Sequence, residues 1–188
     1  MMLMSKKNQL MATARKLFAQ NGFYGTPTAK IAKDAGVSNG ILFHYFPTKD
    51  HLIKAMYFDV KDRIFDYSLS QVYKGATLKE SIYTLWLAAV EWYVENPEDF
   101  NFMLQFETSP YYSVETEVSH RHTQLTIELM EKGLEQGVFK NIQPFLLFQI
   151  MMKMVETTVQ YLQLNSELQE DFAFRNGLFE VAWDAVKK

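Results

Sequence analysis

Apolar residues recur at every third or fourth position along nearly the whole chain, and this spacing constrains the fold more than any other feature of the sequence. It places apolar side chains on one face of an α-helix, whereas the alternation with a period of two that indicates strands is weak. The first helix is predicted over about residues 6–20, with an apolar face made of Leu10, Ala14, Leu17 and Phe18. The sequence therefore predicts an all-α protein.

Glycine, proline and capping residues divide this pattern into about nine helices. Gly22 is expected to end the first helix and Thr28 to cap the second. Ser38 is expected to cap a short third helix that stops before Pro47. The remaining helices are expected over about residues 49–72, followed by a break at Gly75, and then over about 78–95, 97–108, 114–136, 143–164 and 168–187.

The chain has 188 residues and no cysteine, which excludes disulfide frameworks, zinc fingers and thiolate catalysis. Residues 1–7 lack the apolar core and the cleavage site of a signal peptide. The most apolar stretch, residues 145–164, contains Lys153 and Glu156 and is too polar for an ordinary membrane span. We expect a soluble cytoplasmic protein that has no membrane partner.

Charge is divided unevenly along the chain. Residues 1–56 carry eight lysines or arginines and two acidic residues, whereas residues 57–188 carry 11 basic and 20 acidic residues. The amino-terminal part is thus net +6 and the remainder net −9, within a total of −3. A basic region can approach nucleic-acid phosphates while an acidic body is repelled by them, so two parts with different tasks are indicated.

Residues 28–52 combine the features that two closely crossing helices and a tight turn require. Ala32 has the small side chain that a close crossing needs, and Gly36, four residues later, can adopt the left-handed conformation of the turn. Leu42 and Phe46 lie four residues apart and are expected to anchor the third helix on the first two. These features predict a helix-turn-helix.

The residues left on the outer surface of the third helix have the chemistry of groove and phosphate binding. Asn39 can hydrogen-bond a base edge, and Gly40 is small enough to let the helix enter the major groove. Tyr45 and Lys49 can hold backbone phosphates, as can the hydroxyl of Thr28. Two alternatives remain open, namely that Tyr45 is a packed core aromatic and that Lys49 is an ordinary surface lysine.

This segment resembles the TetR family of bacterial transcriptional repressors over about residues 8–56. The matching elements are Phe18 to Gly22-Phe23, Thr28-x-x-x-Ala32, Ala35-Gly36-Val37-Ser38-x-Gly40, Phe43-x-Tyr45-Phe46 and Lys49-x-x-Leu52. The resemblance implies a two-domain, all-α dimer that represses transcription and releases DNA when it binds a small molecule. It implies a helix-turn-helix DNA-binding domain over residues 1–50 and a helical effector-binding and dimerisation domain over residues 51–188.

The same resemblance implies that the operator-contacting positions are Thr28, Ser38, Asn39, Gly40, Phe43, His44, Tyr45 and Lys49. The family often has tyrosine where this chain has Phe43, and phenylalanine lacks the hydroxyl that would reach a phosphate. Ala29 replaces the longer polar or basic residue with which many members reach a base. Fewer direct base contacts are therefore expected.

The last two predicted helices each carry two apolar stripes. In the first, the stripes are Phe145, Phe148, Met152, Val155, Val159 and Leu162, and Leu147, Met151, Met154, Thr158 and Tyr161. In the second, they are Leu168, Phe172, Phe179, Ala182 and Val186, interrupted by Arg175, and Phe174, Leu178, Val181 and Ala185. A contiguous apolar face is rarely left exposed, so a two-fold four-helix interface between two copies is expected. The alternative is that both stripes are buried within one chain.

The resemblance also implies an effector site among the helices of the second domain. The candidate lining residues are Trp86, Trp92, Phe102, Met103, Phe106, Tyr111, Tyr112, Phe148, Met151 and Met152. This composition favours a small hydrophobic or aromatic effector, although ordinary core packing would explain the same residues. Glu91, Glu107 and Glu128 could instead counter a cationic effector or be ordinary solvated charges.

Two other classes of function compete with a ligand-responsive regulator. Glu117 and His120 have the Glu-x-x-His spacing of di-iron helical bundles, but the chain has no second copy of that motif. No catalytic residue, metal site or cofactor is therefore expected, and an enzyme is disfavoured. An architectural DNA-binding protein would use the same helix-turn-helix without an effector pocket.

Overall fold

The computed structural model describes residues 5–71 and 76–188, and within these ranges the chain forms ten α-helices and one short 3-10 helix. The all-α prediction is confirmed. The α-helices are α1 (Lys6–Asn21), α2 (Thr28–Asp34), α3 (Asn39–Tyr45), α4 (Lys49–Gln71), α5 (Leu78–Glu95), α6 (Pro97–Glu107), α7 (Val114–Ser119), α8 (Arg121–Glu135), α9 (Pro144–Leu164) and α10 (Phe172–Val186). Within the same ranges, none of the helices combines the length and apolarity needed to cross a membrane.

The chain divides into two compact units. The first unit comprises residues 1–61 and 97–114, and the second comprises residues 62–96 and 115–188. The division between residues 61 and 62 falls inside α4, so this helix contributes to both units. The domain limits of 1–50 and 51–188 remain a prediction.

In the first unit, α1 packs against α2, α3 and α6. Its apolar face is buried as the spacing predicts, with Leu10 and Phe18 almost inaccessible to solvent. Arg15 on the same helix donates a hydrogen bond from Nη2 to Oδ2 of Asp59 on α4 (3.2 Å), and its Nε lies 3.1 Å from Oδ1 of Asp99 on α6. These ion pairs tie α6 to helices that precede it by many residues.

In the second unit, α5 and α8 pack on α9, and α10 packs on both α9 and α5. A capping box begins α5, because the hydroxyl of Thr77 accepts from the backbone N–H of Glu80 and the carboxylate of Glu80 accepts from the backbone N–H of Thr77. Trp86, Phe148 and Phe179 are among the large side chains buried in this unit.

The helix predicted over residues 114–136 is two helices in the structure. Ser119 ends α7 and Arg121 begins α8, because the backbone of His120 is extended (φ −77°, ψ 131°). The imidazole Nδ1 of His120 accepts a hydrogen bond from the backbone N–H of His122 (3.3 Å) and so caps α8. Histidine is not among the usual N-cap residues, so this break has no recognisable local signal.

One other predicted helix start and one predicted helix cap are wrong. The last helix begins at Phe172 rather than near residue 168, because Asp171 caps it by accepting from the backbone N–H of Phe174 (2.9 Å). Thr28 is the first residue of α2 rather than its cap.

The predicted end of the fourth helix near Val72 and the break at Gly75 lie outside the described residues. Within them, α4 is continuous from Lys49 to Gln71. Its first turn is closed by Thr48, whose hydroxyl accepts from the backbone N–H of His51 (3.2 Å), as a capping threonine does.

The apolar stripes of α9 are buried within the single chain more completely than the sequence predicts. The second stripe of α9 runs from Leu147 to Tyr161. In it, Leu147, Met151 and Thr158 are buried and Tyr161 is exposed. The expectation that a whole α9 stripe is left uncovered is therefore wrong. On α10 the prediction of one buried and one uncovered stripe agrees better with the structure, since Phe179 is buried and Val181 is exposed.

Candidate nucleic-acid interface

The turn between α2 and α3 has the geometry that its sequence predicts. Gly36 has φ of 68°, in the left-handed region where a side chain is strained. Its backbone N–H donates to the carbonyl oxygen of Lys33 (3.0 Å), and the N–H of Val37 donates to that of Ala32 (3.0 Å). These bonds end α2 and turn the chain sharply into α3.

The recognition-type helix α3 is fixed at both of its ends. The Ser38 hydroxyl caps it by accepting from the backbone N–H of Ile41 (3.3 Å). Leu42 and Phe46 are buried, as the four-residue spacing predicts. The helix is therefore held by its inner face and presents its outer face to solvent.

Five of the predicted contact residues lie on the exposed surface of this helix. Asn39, Gly40, Phe43, His44 and Tyr45 are all exposed to solvent. Tyr45 has 40% of its surface exposed, which excludes the packed-core alternative for this ring within the single chain. The rings of His44 and Tyr45 meet edge to face, with centroids 5.3 Å apart. Amide, imidazole and phenol groups are thus gathered where a nucleic-acid groove can be reached.

Gly40 has no packing role that explains its lack of a side chain. A Cβ atom built at this position would come no closer than 3.8 Å to a neighbour, the Oγ of Ser38, which is ordinary contact. The chain itself would therefore accept alanine here. The absent side chain leaves space on the outer face, which suits close approach by another molecule.

Lys49 and Thr28 lie beside α3 at the starts of their helices. The ammonium of Lys49 donates to the backbone carbonyl oxygen of Phe23. Burial lowers the pKa of Lys49, and the charge of Asp50 partly offsets that effect. Lys49 is thus partly buried and hydrogen-bonded within the chain. Thr28 is half-buried at the start of α2. The sequence contained no signal for the contact with Phe23.

The predicted effector-lining residues lie in both units. In the first unit, Phe102, Met103 and Phe106 are buried and Tyr111 and Tyr112 are half-buried. In the second, Trp86, Phe148 and Met151 are buried and Trp92 and Met152 are half-buried. Their assembly into one pocket remains a prediction.

The second unit contains a cleft of about 290 Å³ that the sequence did not predict. Its lining includes the charged residues Glu91, Glu95, Glu170 and Arg175, and it includes none of the ten predicted aromatic and methionine residues. Of the lining residues, the sequence suggests a ligand-binding role only for Glu91, as a possible counter-charge. The others come together from separate helices, which no local pattern reveals.

The Glu-x-x-His pair has structural bonds in the second unit. Glu117 accepts a hydrogen bond from the hydroxyl of Thr123 (3.0 Å), and Nε2 of His120 lies 3.1 Å from Oδ1 of Asp62. Among residues 5–71 and 76–188, no group of three or more His, Cys, Asp or Glu side chains is arranged to hold a metal ion.

Comparison with known proteins identifies the class to which this helix-turn-helix protein belongs. Residues 10–56 match the family described as bacterial regulatory proteins of the tetR family, and residues 77–187 match the tetracyclin repressor-like C-terminal domain. The second match alone covers more than half of the chain. The protein belongs to the TetR family of transcriptional regulators.

Individual relatives agree with this assignment. A putative tetR family transcription regulator from Shewanella sp. PV-4 is 28% identical and superposes with a TM-score of 0.91 over 98% of this chain and 100% of that one. The HTH-type transcriptional repressor KstR2 of Mycobacterium tuberculosis is 23% identical over 72% of this chain and 70% of its own length.

An uncharacterized HTH-type transcriptional regulator of Bacillus subtilis, YuxN, is 25% identical over 74% of this chain, and the match spans 48% of YuxN. These relatives are DNA-binding regulators and not enzymes, so the enzyme alternative is not supported.

Proposed function

We propose that the protein is a homodimeric repressor whose two copies each place α3 in the major groove of a palindromic DNA operator. The observation that carries this proposal is α3 itself, a seven-residue helix anchored by buried Leu42 with polar and aromatic groups on its outer face. Recognition helices of such dimers lie about 34–36 Å apart when the half-sites are one DNA turn apart. A protein with this task works in the cytoplasm.

The proposed DNA contacts divide into two groups. Base readout is assigned to Asn39, Gly40 and His44, and backbone positioning to Tyr45 and Lys49. Thr28 and Ser38 lie at the amino-terminal ends of α2 and α3, where backbone amides also favour phosphate. Phe43 contributes van der Waals contact only, because it has no hydroxyl.

Pairing of two copies is proposed through α9 and α10. The large apolar side chains exposed on these helices are Leu146, Tyr161, Leu164, Phe172 and Val181. Tyr161 on α9 contacts Phe174 on α10, with ring centroids 5.8 Å apart, so the two helices contribute to adjoining surface. Exposed apolar area of this kind is stabilised by burial against a second copy.

Release from DNA is proposed to follow binding of a small hydrophobic or aromatic effector among the aromatic residues of the effector domain. Such a ligand acts only if it binds the DNA-competent and DNA-incompetent states with different affinities. Thermal-shift screening detects such an effector, because a molecule that binds the folded state stabilises it.

Selection of bound sequences from a random DNA pool tests the proposal. We expect an inverted repeat whose half-sites are about 10–10.5 base pairs apart or a multiple of this. The double variant Asn39→Ala/His44→Ala should lose the selected motif, whereas Gln124→Ala/Lys132→Ala, two exposed positions on α8, should keep it. Recovery of no sequence preference in moderate salt would reject the proposal.

A further inference from the structure

We propose that the cleft in the second unit binds a small organic cation. This site is separate from the aromatic lining predicted from the sequence. The assignment of the cleft as a ligand site needs no DNA, and only its role as an effector site rests on the proposed function.

A hydrogen-bonded cluster from three helices forms one part of the cleft. Tyr67 on α4 donates from its hydroxyl to Oε2 of Glu91 on α5 (3.1 Å), and Arg175 on α10 donates from Nη1 to Oε1 of the same carboxylate (3.1 Å). Both oxygens of Glu91 are therefore engaged. Because three helices hold the cluster, its shape is largely set before a ligand arrives.

Arg175 departs from the pattern of its own helix. It interrupts the apolar line of α10 that contains Phe172 and Phe179, yet its side chain is only 14% exposed, and that of its partner Glu91 is 28% exposed. Apolar residues of similar volume often serve stability as well as a largely buried ion pair does. A charge that breaks the local apolar pattern of its helix is typical of a functional site.

The cleft has more negative charge than the arginine can balance. Glu95 and Glu170 also line it, and neither has an ion-pair partner within residues 5–71 and 76–188. Burial raises the pKa of Tyr67, and the charges of Glu91 and Glu95 raise it further against the opposing charge of Arg175. With three carboxylates and one guanidinium in its lining, the cleft carries net negative charge, and such a concave site attracts cations.

The rest of the lining indicates that the cation is organic and small. Val94 is half-buried and supplies apolar surface that suits a hydrocarbon chain or a ring, while Val90 and Leu162 border the cleft but are buried. The volume of about 290 Å³ lies at the lower end of the range for small-molecule sites. A primary ammonium group on a short alkyl or benzyl body matches these properties.

Tyr67 connects this cleft to the remainder of the protein. It belongs to α4, whose residues 49–61 are part of the first unit. A cation that contacts the Tyr67–Glu91 pair therefore acts on a helix that both units share. This is the route by which the cleft would influence DNA binding.

The test uses the full chain without DNA and three probes: butylammonium, benzylammonium and 1,4-diammoniobutane. Each is compared with its neutral alcohol, and dissociation constants are measured from the line-broadening of the probe in proton NMR. We expect at least one ammonium probe to bind saturably and about tenfold more tightly than its alcohol, with weaker binding at higher salt. Absence of binding by all three cations, or equal binding of the alcohols, overturns the proposal.

A pair of matched variants locates the site. Glu95→Gln/Glu170→Gln should raise the dissociation constant of the ammonium probe about tenfold. Glu131→Gln/Glu135→Gln, which removes two exposed carboxylates from α8, should leave that constant unchanged. All four positions are exposed, so the variants should fold, as thermal unfolding would verify. Equal weakening in both pairs would assign the effect to net charge and reject the cleft. The outcome is independent of whether the protein binds an operator.

Discussion

The side-chain ammonium of Lys49, at the start of α4, donates a hydrogen bond to the backbone carbonyl oxygen of Phe23, in the turn that follows α1. The contact holds the amino-terminal end of α4 against the helix-turn-helix. A lysine ammonium has three donors, so this bond leaves others available for a DNA phosphate. Lys49 is thus assigned two tasks, one inside the chain and one at the proposed interface.

Replacement of Lys49 by methionine tests both tasks. The loss of the bond to Phe23 should lower the free energy of unfolding by about 1 kcal/mol, measured by chemical denaturation. The loss of a phosphate contact should reduce the slope of log K against log salt by about one for all DNA sequences. Lys132→Met on α8, far along the chain and exposed, is the control. An unchanged slope would remove Lys49 from the phosphate contacts and leave only its structural task.

Gly40→Ala should separate folding from DNA binding. The added Cβ meets nothing closer than 3.8 Å, and alanine favours helix, so stability should be unchanged or raised by up to about 1 kcal/mol. If α3 enters the groove closely, the same methyl group should weaken DNA binding about tenfold, as measured by fluorescence anisotropy. Gly177→Ala on α10, where an added Cβ also meets nothing, should have no effect on DNA affinity. Equal DNA affinity for both variants would argue against close approach at Gly40.

Asn39→Ala should relax sequence preference at one base position of the operator. A side-chain amide that bonds a base edge contributes about 1–3 kcal/mol of discrimination against the wrong base. Competition binding with operators mutated one position at a time measures this. If the preferred operator stays identical at every position, Asn39 does not read a base.

Val181→Asp should separate a dimer into monomers. Val181 is 57% exposed on α10, and a carboxylate there would lose its hydration at a two-fold interface. Sedimentation equilibrium should show dissociation at concentrations where the wild type is dimeric. Leu125→Asp, at an exposed leucine of α8, should not change the mass. Dimers that persist in Val181→Asp would move the interface away from this part of α10.

The protein should lose stability above pH 10 partly through Tyr67. Burial raises the pKa of the Tyr67 hydroxyl above its ordinary value of 10.0, and the charge of Glu91 and the hydrogen bond to it raise the pKa further. As the pH rises, the hydroxyl therefore loses its proton at a lower pH in the unfolded chain than in the folded one. The stability contribution is therefore complete below pH 10 and is lost as the pH rises through the raised pKa. The unfolding free energy of Tyr67→Phe, measured by denaturant at several pH values, should decline less steeply than that of wild type. Parallel declines would contradict this account.

Much of the DNA-binding segment could be predicted because its signals are local. Ser38 caps α3 through a neighbour three residues away, and Gly36 supplies the positive φ of the adjacent turn. Leu42 and Phe46 are buried because four-residue spacing places them on one face of the helix. Each of these inferences requires only the chain within one or two helical turns.

Other features required groups that are distant in sequence. The break at His120 depends on an imidazole acting as a cap, which ordinary propensities do not anticipate. The ion pair between α1 and α6 depends on Arg15 reaching Asp99, and the charged cleft depends on Glu91 meeting Arg175. Burial of most residues in the two stripes of α9 likewise depends on which helices pack around it.

The sequence by itself determined the helical class of the protein, the helix-turn-helix and the groups on the outer face of α3. These follow from helical periodicity, capping and turn chemistry, which act between residues close along the chain. Only the tertiary structure decided that α6 packs with the DNA-binding helices, that Lys49 bonds Phe23, and that a charged cleft lies among α4, α5 and α10. Burial and ion pairing between distant residues depend on the packing of whole helices, and hydrophobic burial is too non-directional for a pattern of apolar residues to specify its partners.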